Sequence, residues 1–255
     1  MTPDKLMAEA RRQMLQAQEQ LFEVLKNEKS RKRAPIIRDL HMIANMLHPD
    51  PRYFSQAGQD RVVDRFFEGK RNGTFADIGG YDGIMGSNTL FFEIYRGWSG
   101  ILVEPSPTQL AKAKEARRCP CLPYAVAGEA KELEFMEVTS GFTQMSGFLD
   151  SYDPNLLAQV RGDTRHEEVI HKLEAKPLGE ILSEAGLEQV DFVSLDVEGG
   201  EMDILENFDF DAFDVTLWSI ENNTAAPDIP KLMLDKGYQL VEFAGVDDIY
   251  RKGEP

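Results

Sequence analysis

Beyond Pro51 the chain alternates short apolar runs with longer stretches whose apolar residues recur every three or four positions. The first pattern fits strands buried on both faces and the second fits the helices that cover them, so their alternation predicts an α/β domain with a mostly parallel sheet. Strands are expected at residues 74–78, 100–104, 124–127, 191–196, 215–221 and 238–243. Helices are expected at 60–67, 108–117, 178–185, 201–207 and 229–236. Leu133, Phe135 and Val138 alternate as a further strand would, and residues 248–251 read as a strand returning antiparallel at the sheet edge. Residues 139–176 are the least regular part of the body, the place for a lid or a substrate-specific insertion.

The first fifty residues contain no glycine and lack the strand pattern. Met7, Ala10, Met14, Ala17, Leu21 and Val24 stand three and four apart, the spacing of a seam on one long helix. A basic cluster of Lys29, Arg31, Lys32 and Arg33 ends that helix, and Ala34-Pro35 opens a second carrying Ile36, Ile37, Leu40, Ile43 and Leu47. Pro49 and Pro51 then punctuate a boundary. Residues 1–50 are therefore read as a helical arm that either packs on its own body or pairs two chains into a homodimer, and residues 51–255 as the main domain.

Composition narrows this picture. The 255 residues are 42% apolar and 9% aromatic, enough for one folded α/β domain with an appendage. No apolar run is long enough to span a bilayer, and the first thirty positions lack the apolar stretch of a secretory signal, so a cytoplasmic protein with no membrane partner is expected. Cys119 and Cys121 flank Pro120, too close to staple a fold, and read as reduced thiols. The net charge of -16 is uneven: residues 1–50 carry nine basic and seven acidic side chains, and the acid excess lies wholly in the body. Such a body repels a phosphate backbone, which excludes nucleic acid as the expected partner and suits a cationic or neutral ligand.

The sharpest local feature is Phe75-Ala76-Asp77-Ile78-Gly79-Gly80-Tyr81-Asp82-Gly83, an apolar strand that runs into a glycine-rich turn. Its spacing is not that of a dinucleotide phosphate site, and Asp77 would repel a pyrophosphate yet can accept hydrogen bonds from the ammonium of an amino-acid moiety. A tight turn with no ligand remains the competing reading. A second strand ends in Glu104, 21 residues beyond Gly83, where an acid is placed to accept both hydroxyls of a ribose. Together the two features specify an adenosine ligand. The third is Val193-Ser194-Leu195-Asp196-Val197-Glu198-Gly199-Gly200-Glu201. In an open parallel sheet the crevice lies at the carboxyl ends of the strands, so Asp196 and Glu198 should face the same mouth as Asp77 and Glu104. Glu201 reads instead as the first turn of the next helix, favoured by the helix dipole.

These segments resemble the FkbM-type methyltransferases. The likeness rests on Tyr53-Phe54-Ser55-Gln56-Ala57-Gly58-Gln59-Asp60, on Asp77-Ile78-Gly79-Gly80-Tyr81-Asp82-Gly83, on Ser87-Asn88-Thr89, on Gly97-Trp98-Ser99-Gly100 leading to Val103-Glu104-Pro105, and on the run from Val190 to Glu201. It covers residues 53–221 and departs at Gly200, where alanine is commoner; a looser turn with unchanged chemistry is expected there. The resemblance implies a class I Rossmann-like methyltransferase fold, with a mostly parallel seven-stranded sheet and helices on both faces. It implies S-adenosylmethionine as cofactor and the hydroxyl of a sugar or small natural product as acceptor. It places Gln56, Gln59 and Asp60 near the cofactor or the pocket entrance, and Ser87 and Asn88 beside the glycine turn; Asp60 opening a helix and Asn88 capping one are the alternatives.

The cofactor set read from sequence is thus Gln56, Gln59, Asp77, Gly79, Gly80, Asp82, Gly83, Ser87, Asn88, Glu104 and Asp196. Asp196, Glu198 and His166 are the catalytic candidates, with His171 as a second histidine in the irregular stretch that could serve as general base. Asp196 and Glu198 are also hard oxygen ligands that could hold a divalent cation such as Mg²⁺. Two other classes stay open. An NAD-dependent oxidoreductase or epimerase is opposed by Asp77 before the glycines and by the lack of a Tyr-x-x-x-Lys pair. The other is a non-catalytic module that binds an adenosine cofactor.

Overall fold

The computed structural model describes residues 2–47, 53–149, 152, 154–223 and 225–253. Two helices, α1 (Pro3–Asn27) and α2 (Arg33–Leu47), precede the sheet. Then follow α3 (Gln59–Phe66), β1 (Thr74–Ile78), β2 (Ser99–Val103), α4 (Pro107–Ala116), β3 (Cys121–Leu122) and β4 (Ala125–Val126). β5 (Lys131–Ser140), β6 (Gly147–Phe148), α5 (Pro154–Arg161), β7 (Glu167–Lys176), α6 (Leu178–Glu184) and β8 (Gln189–Leu195) come next. The chain closes with α7 (Glu201–Glu206), β9 (Asp214–Glu221), α8 (Asp228–Asp235), β10 (Tyr238–Ala244) and β11 (Asp247–Lys252).

The central sheet has seven strands in the order β10-β11-β9-β8-β1-β2-β3. All its pairings are parallel except those of β11 with β9 and β10. Alternate residues of β1 serve the two faces. Ala76 and Ile78 join the core built with α6, α7 and α8, while Phe75 joins Val63 of α3, Phe92, Trp98 and Phe192 on the other. Covering both faces is why these strands read as continuous apolar runs rather than alternating ones. The architecture is the α/β one expected, a mostly parallel seven-stranded sheet with helices on both faces, and no helix of the described residues is long and apolar enough to cross a membrane.

Three sequence expectations need correction. β11 is antiparallel as expected but lies one strand in from the edge, because β9 pairs with it directly and β10 takes the outer position. The strand expected at 124–127 leaves the central sheet, whose edge place goes to the short β3. It enters a second, four-stranded sheet of order β4-β7-β5-β6, dominated by an antiparallel ladder between β5 and β7. β7 falls within 139–176, the stretch read as irregular. Its sequence Glu-Glu-Val-Ile-His-Lys-Leu-Glu-Ala-Lys keeps most side chains at least partly solvated, so backbone pairing rather than apolar burial defines it.

α1 and α2 form a helical hairpin in which Arg11 reaches the carbonyl of Leu47 at 3.5 Å. The face of α1 with least exposure runs through Met14, Ala17, Leu21 and Leu25, whereas Met7 and Val24 of the expected seam stay exposed. The basic cluster ties the hairpin down. Arg33 makes a bidentate pair with Glu242 of β10, both bonds 2.6 Å, and also donates to the carbonyls of Leu25 and Glu28. Arg31 pairs with the buried Asp248 and donates to the carbonyls of Asn222 and Val246. The expected boundary at Pro49 and Pro51 lies outside the described residues.

Arg33→Ala should therefore cost about 2 kcal/mol, the loss of charge-assisted hydrogen bonds, and lower Tm by roughly 4–8 °C. Adding Glu242→Ala should cost less than it does in the wild type, as a thermal double-mutant cycle would read. An unchanged Tm for Arg33→Ala would show that the hairpin is held by something else.

Candidate functional site

Because β1, β2, β8 and β9 are parallel, the acids at their carboxyl ends converge. They line one cleft of about 790 Å³. Of the residues expected from sequence, the cleft brings together Gln56, Gln59, Asp77, Gly79, Gly80, Ser87, Asn88, Glu104, Asp196 and Glu198. It adds Glu221 and Asp247, which sequence reasoning missed. Glu221 ends an expected strand as Asp196 does, so the same logic could have found it; Asp247 carried no signal. Tyr124, Phe135, Thr143, Ser146 and Phe148 come from the second sheet and its connections, and Pro35 and Arg38 from α2.

The glycine turn is shaped by the protein itself. Gly79 has φ +82, and a Cβ there would lie 1.6 Å from the backbone oxygen of Asp196, so this position admits no side chain. Its amide donates to the Val103 carbonyl at 2.9 Å, and the Asp196 amide donates to that of Ile78 at 3.0 Å. The turns after β1 and β8 are thereby locked together. At Gly200, φ is -99 and an added Cβ would meet only Val197 Cγ2 at 3.2 Å, so an alanine would need little adjustment there.

Asp77 is buried and receives Thr89 Oγ1 at 2.5 Å, Ser87 Oγ at 3.4 Å and Arg117 Nη1 at 3.3 Å, all on Oδ2. Arg117, wholly enclosed, pairs with Glu93 as well, at 2.9 Å. An ammonium arriving at Asp77 would therefore share this carboxylate with an internal cation. Glu104 accepts the Tyr81 amide on one oxygen, at 2.9 Å, and the Ser106 amide on the other, at 2.8 Å. Burial, opposed by these two donors, raises Glu104 to about 7.

Asp196, Glu198 and Glu221 each place a carboxylate oxygen within 4.8 Å of the others. Enclosure raises Asp196 well above the usual carboxylate range, reinforced by the charges of Glu221 and Asp247. Glu198, with φ +58, stays exposed at the cleft mouth, yet partial desolvation by the surrounding walls and then the Glu201 charge raise it to about 7. Glu221 is raised by burial and by Glu198 and Glu201. Asp247, held by Ser219 Oγ at 2.7 Å, is raised by burial to about 6. Glu201 folds back to accept the amides of Val197 and Gly199. Asn88 donates to Ser194 Oγ at 3.0 Å while its buried Oδ1 has no partner.

The remaining expected residues do other work. Asp82 accepts the amides of Ile84 and Met85, and Gly83 packs against Ala113 and Arg117; neither lines the cleft. Asp60 is buried and holds the amides of Phe54, Ser55 and Arg61, bracing the loop that carries Gln56. His166 is paired with Glu168 at 2.7 Å at the start of β7 and is absent from the cleft wall. His171 bonds Glu137 at 2.7 Å, which in turn accepts Ser106 Oγ and the Thr108 amide and so ties the second sheet to the start of α4. Neither histidine is among the residues that line the cleft, although His171 stands directly opposite the cleft-lining Phe135 in the β5–β7 ladder.

Among solved structures, the chain is similar to a methyltransferase FkbM from Methylobacillus flagellatus, 13% identical with a TM-score of 0.46 over 93% of this chain. It spans 58% of that protein's length. It is also similar to a TehB-like SAM-dependent methyltransferase from Corynebacterium glutamicum, 12% identical with a TM-score of 0.38, over 77% of this chain and 88% of the other. A SAM-dependent methyltransferase from Aquifex aeolicus is 10% identical with a TM-score of 0.34, over 79% of this chain and 92% of the other. No match was found among curated proteins. The sequence model of the methyltransferase FkbM domain matches residues 77–240, well over half of the chain and the part that runs from Asp77 through Asp196 and Glu221, and the chain belongs to that family.

Proposed function

We propose that this protein is an S-adenosylmethionine-dependent O-methyltransferase acting on a hydroxyl of a sugar or small natural product. The observation that carries the reading is the charge of the cleft: among the described residues, six carboxylates and a single arginine line it. That wall suits a ligand with a sulfonium and an ammonium, and the unpartnered Asn88 Oδ1 offers an acceptor beside it. Glu104 would take the ribose hydroxyls, and Asp77, Ser87 and Asn88 the amino-acid end. Bound there, the cofactor supplies an electrophilic methyl group on a sulfonium.

The chain's own part is to orient, enclose and deprotonate. Asp196 takes the proton of the acceptor hydroxyl as the oxygen–methyl bond forms and the methyl–sulfur bond breaks, its electron pair staying on sulfur. A carboxylate held well above its ordinary range is a better base for this step than a solvated one. Positioning does the rest, since in-line displacement rewards fixed geometry. A second reading rests on the proximity of Asp196, Glu198 and Glu221: three hard oxygen donors could hold Mg²⁺, which would lower the acceptor's pKa. We place the enzyme in the cytoplasm. The exposed apolar residues Leu6, Met7, Leu15 and Phe22 on α1 support a homodimer formed through the helical hairpin.

Four outcomes test these proposals. Glu104→Ala should weaken S-adenosylmethionine binding by roughly 1.5–3 kcal/mol while the protein still folds, read by calorimetric titration; full affinity would remove Glu104 from the site. Asp196→Asn should lose turnover by about 10²-fold or more with much of the cofactor affinity kept. A base must first give up its proton, so a raised Asp196 makes wild-type kcat climb with pH above the ordinary carboxylate range, and the variant should lack that limb. Chelator should leave wild-type activity untouched if Asp196 acts alone; loss restored by magnesium would favour the cation reading. Deleting residues 2–32 should lower the mass seen by light scattering; a wild type already monomeric at micromolar concentration would end the dimer proposal.

A further inference from the structure

Helix α2 lies outside the residues of the family match, yet it supplies one wall of the cleft through Pro35 and Arg38, three residues apart on one helical face. Its position is fixed. Arg33 grips Glu242, Arg31 grips Asp248, and Leu40, His41 and Ala44 are buried. His41 packs under the turn at Gly58, where a Cβ would stand 3.3 Å from its ring, close to Gln56 and Gln59 of the cleft.

Arg38 is loosely engaged by comparison. Its protein partner is the neighbouring Asp39, contacted through two 3.2 Å bonds to one oxygen, with both side chains about half exposed. Such a pair contributes little and exchanges readily for a better one. A guanidinium carries five donors in a fork that matches a carboxylate or a phosphate.

The order of the sheet divides the cleft. Glu104 ends β2 on one side of β1, whereas Asp196 and Glu221 end β8 and β9 on the other, and α2 packs against β10 beyond them. With the adenosine on the β2 side and the reacting hydroxyl at Asp196, the β10 side of the cleft is left for the rest of the acceptor, and Arg38 stands there. Resting on the methyl-transfer reading above, we infer that Arg38 anchors an anionic group, a carboxylate or a phosphate, on the methyl acceptor. Arg38 keeps its charge available to such a group, because its carboxylate partner among the described residues is Asp39, outside the cleft lining and itself about half exposed.

The test uses full-length protein saturated with S-adenosylhomocysteine and three probes sharing one sugar ring: glucose, glucuronate and glucose 6-phosphate. Titrations followed by ligand-observed NMR should show at least one anion binding about tenfold more tightly than glucose, and which anion wins distinguishes carboxylate from phosphate. Arg38→Gln should erase that preference and Arg38→Lys keep part of it, with S-adenosylhomocysteine affinity unchanged in both. Equal or absent binding of the three probes, or a preference that survives Arg38→Gln, overturns the anchor. Failure of the wild type to bind S-adenosylhomocysteine at all would instead overturn the cofactor reading, a separate and prior result.

Discussion

A single guanidinium without solvent organises the glycine-turn end of the cleft. Arg117 stands between Asp77 and Glu93 and also reaches Thr89, Ser87 and the Gly83 carbonyl, so one side chain joins the glycine turn, the loop after it and the π-helical turn at Phe92–Arg96 to the end of α4. Two carboxylates face one arginine there, and removing the cation would strand both in an enclosed site, a change that costs several kcal/mol in comparable cases. The position of Asp77 depends on this pairing. So does the path of the chain through Ser87 and Asn88, which reach the cleft only because Thr89 is pinned.

A second constraint couples this end to the acidic cluster around Asp196. The backbone oxygen of Asp196 passes so close to Gly79 that the turns after β1 and β8 cannot move independently. Asp196 is therefore held by main-chain contact, while its carboxylate is left among Glu198, Glu221 and Asp247. Crowding acids in a partly closed cleft is unfavourable in the ligand-free protein, and the bound charge that relieves it gains affinity from the same crowding. The site is thus built from a neutralised acid at one end and a set of strained acids at the other.

Around this core stand two walls with different origins. The second sheet reaches the cleft through Phe135, Thr143, Ser146 and Phe148, and is tied to the start of α4 by the Glu137 contacts to Ser106, Thr108 and His171. Tyr81 bridges to Thr143 at 2.9 Å, so the glycine turn itself touches this wall. The opposite wall is α2, fastened by charge to the far end of the sheet. The basic first fifty residues and the acidic body are in this sense complementary parts of one surface.

The strands and helices that make the central sheet were legible in the sequence because burial on both faces writes itself into composition: 74–78 is recovered to the residue, and 215–221 differs only by the preceding Asp214. The acids at strand ends were legible for a related reason, since parallel topology alone sends Asp77, Glu104 and Asp196 to one edge. What no local pattern could reveal is pairing between residues far apart. β7 is a polar strand made by its partner β5, and His171, in the stretch read as irregular, is set by that ladder opposite Phe135 and bonded to Glu137. Asp82 and Gly83 belong to the same motif as Gly79, yet their contacts turn them to the support of the loop. Arg117 and Arg38 are two arginines of equal standing in the sequence. Only tertiary packing encloses the first with Asp77 and leaves the second at the cleft with a weak partner, because the cost of burying a charge is set by which opposite charges the fold brings within reach.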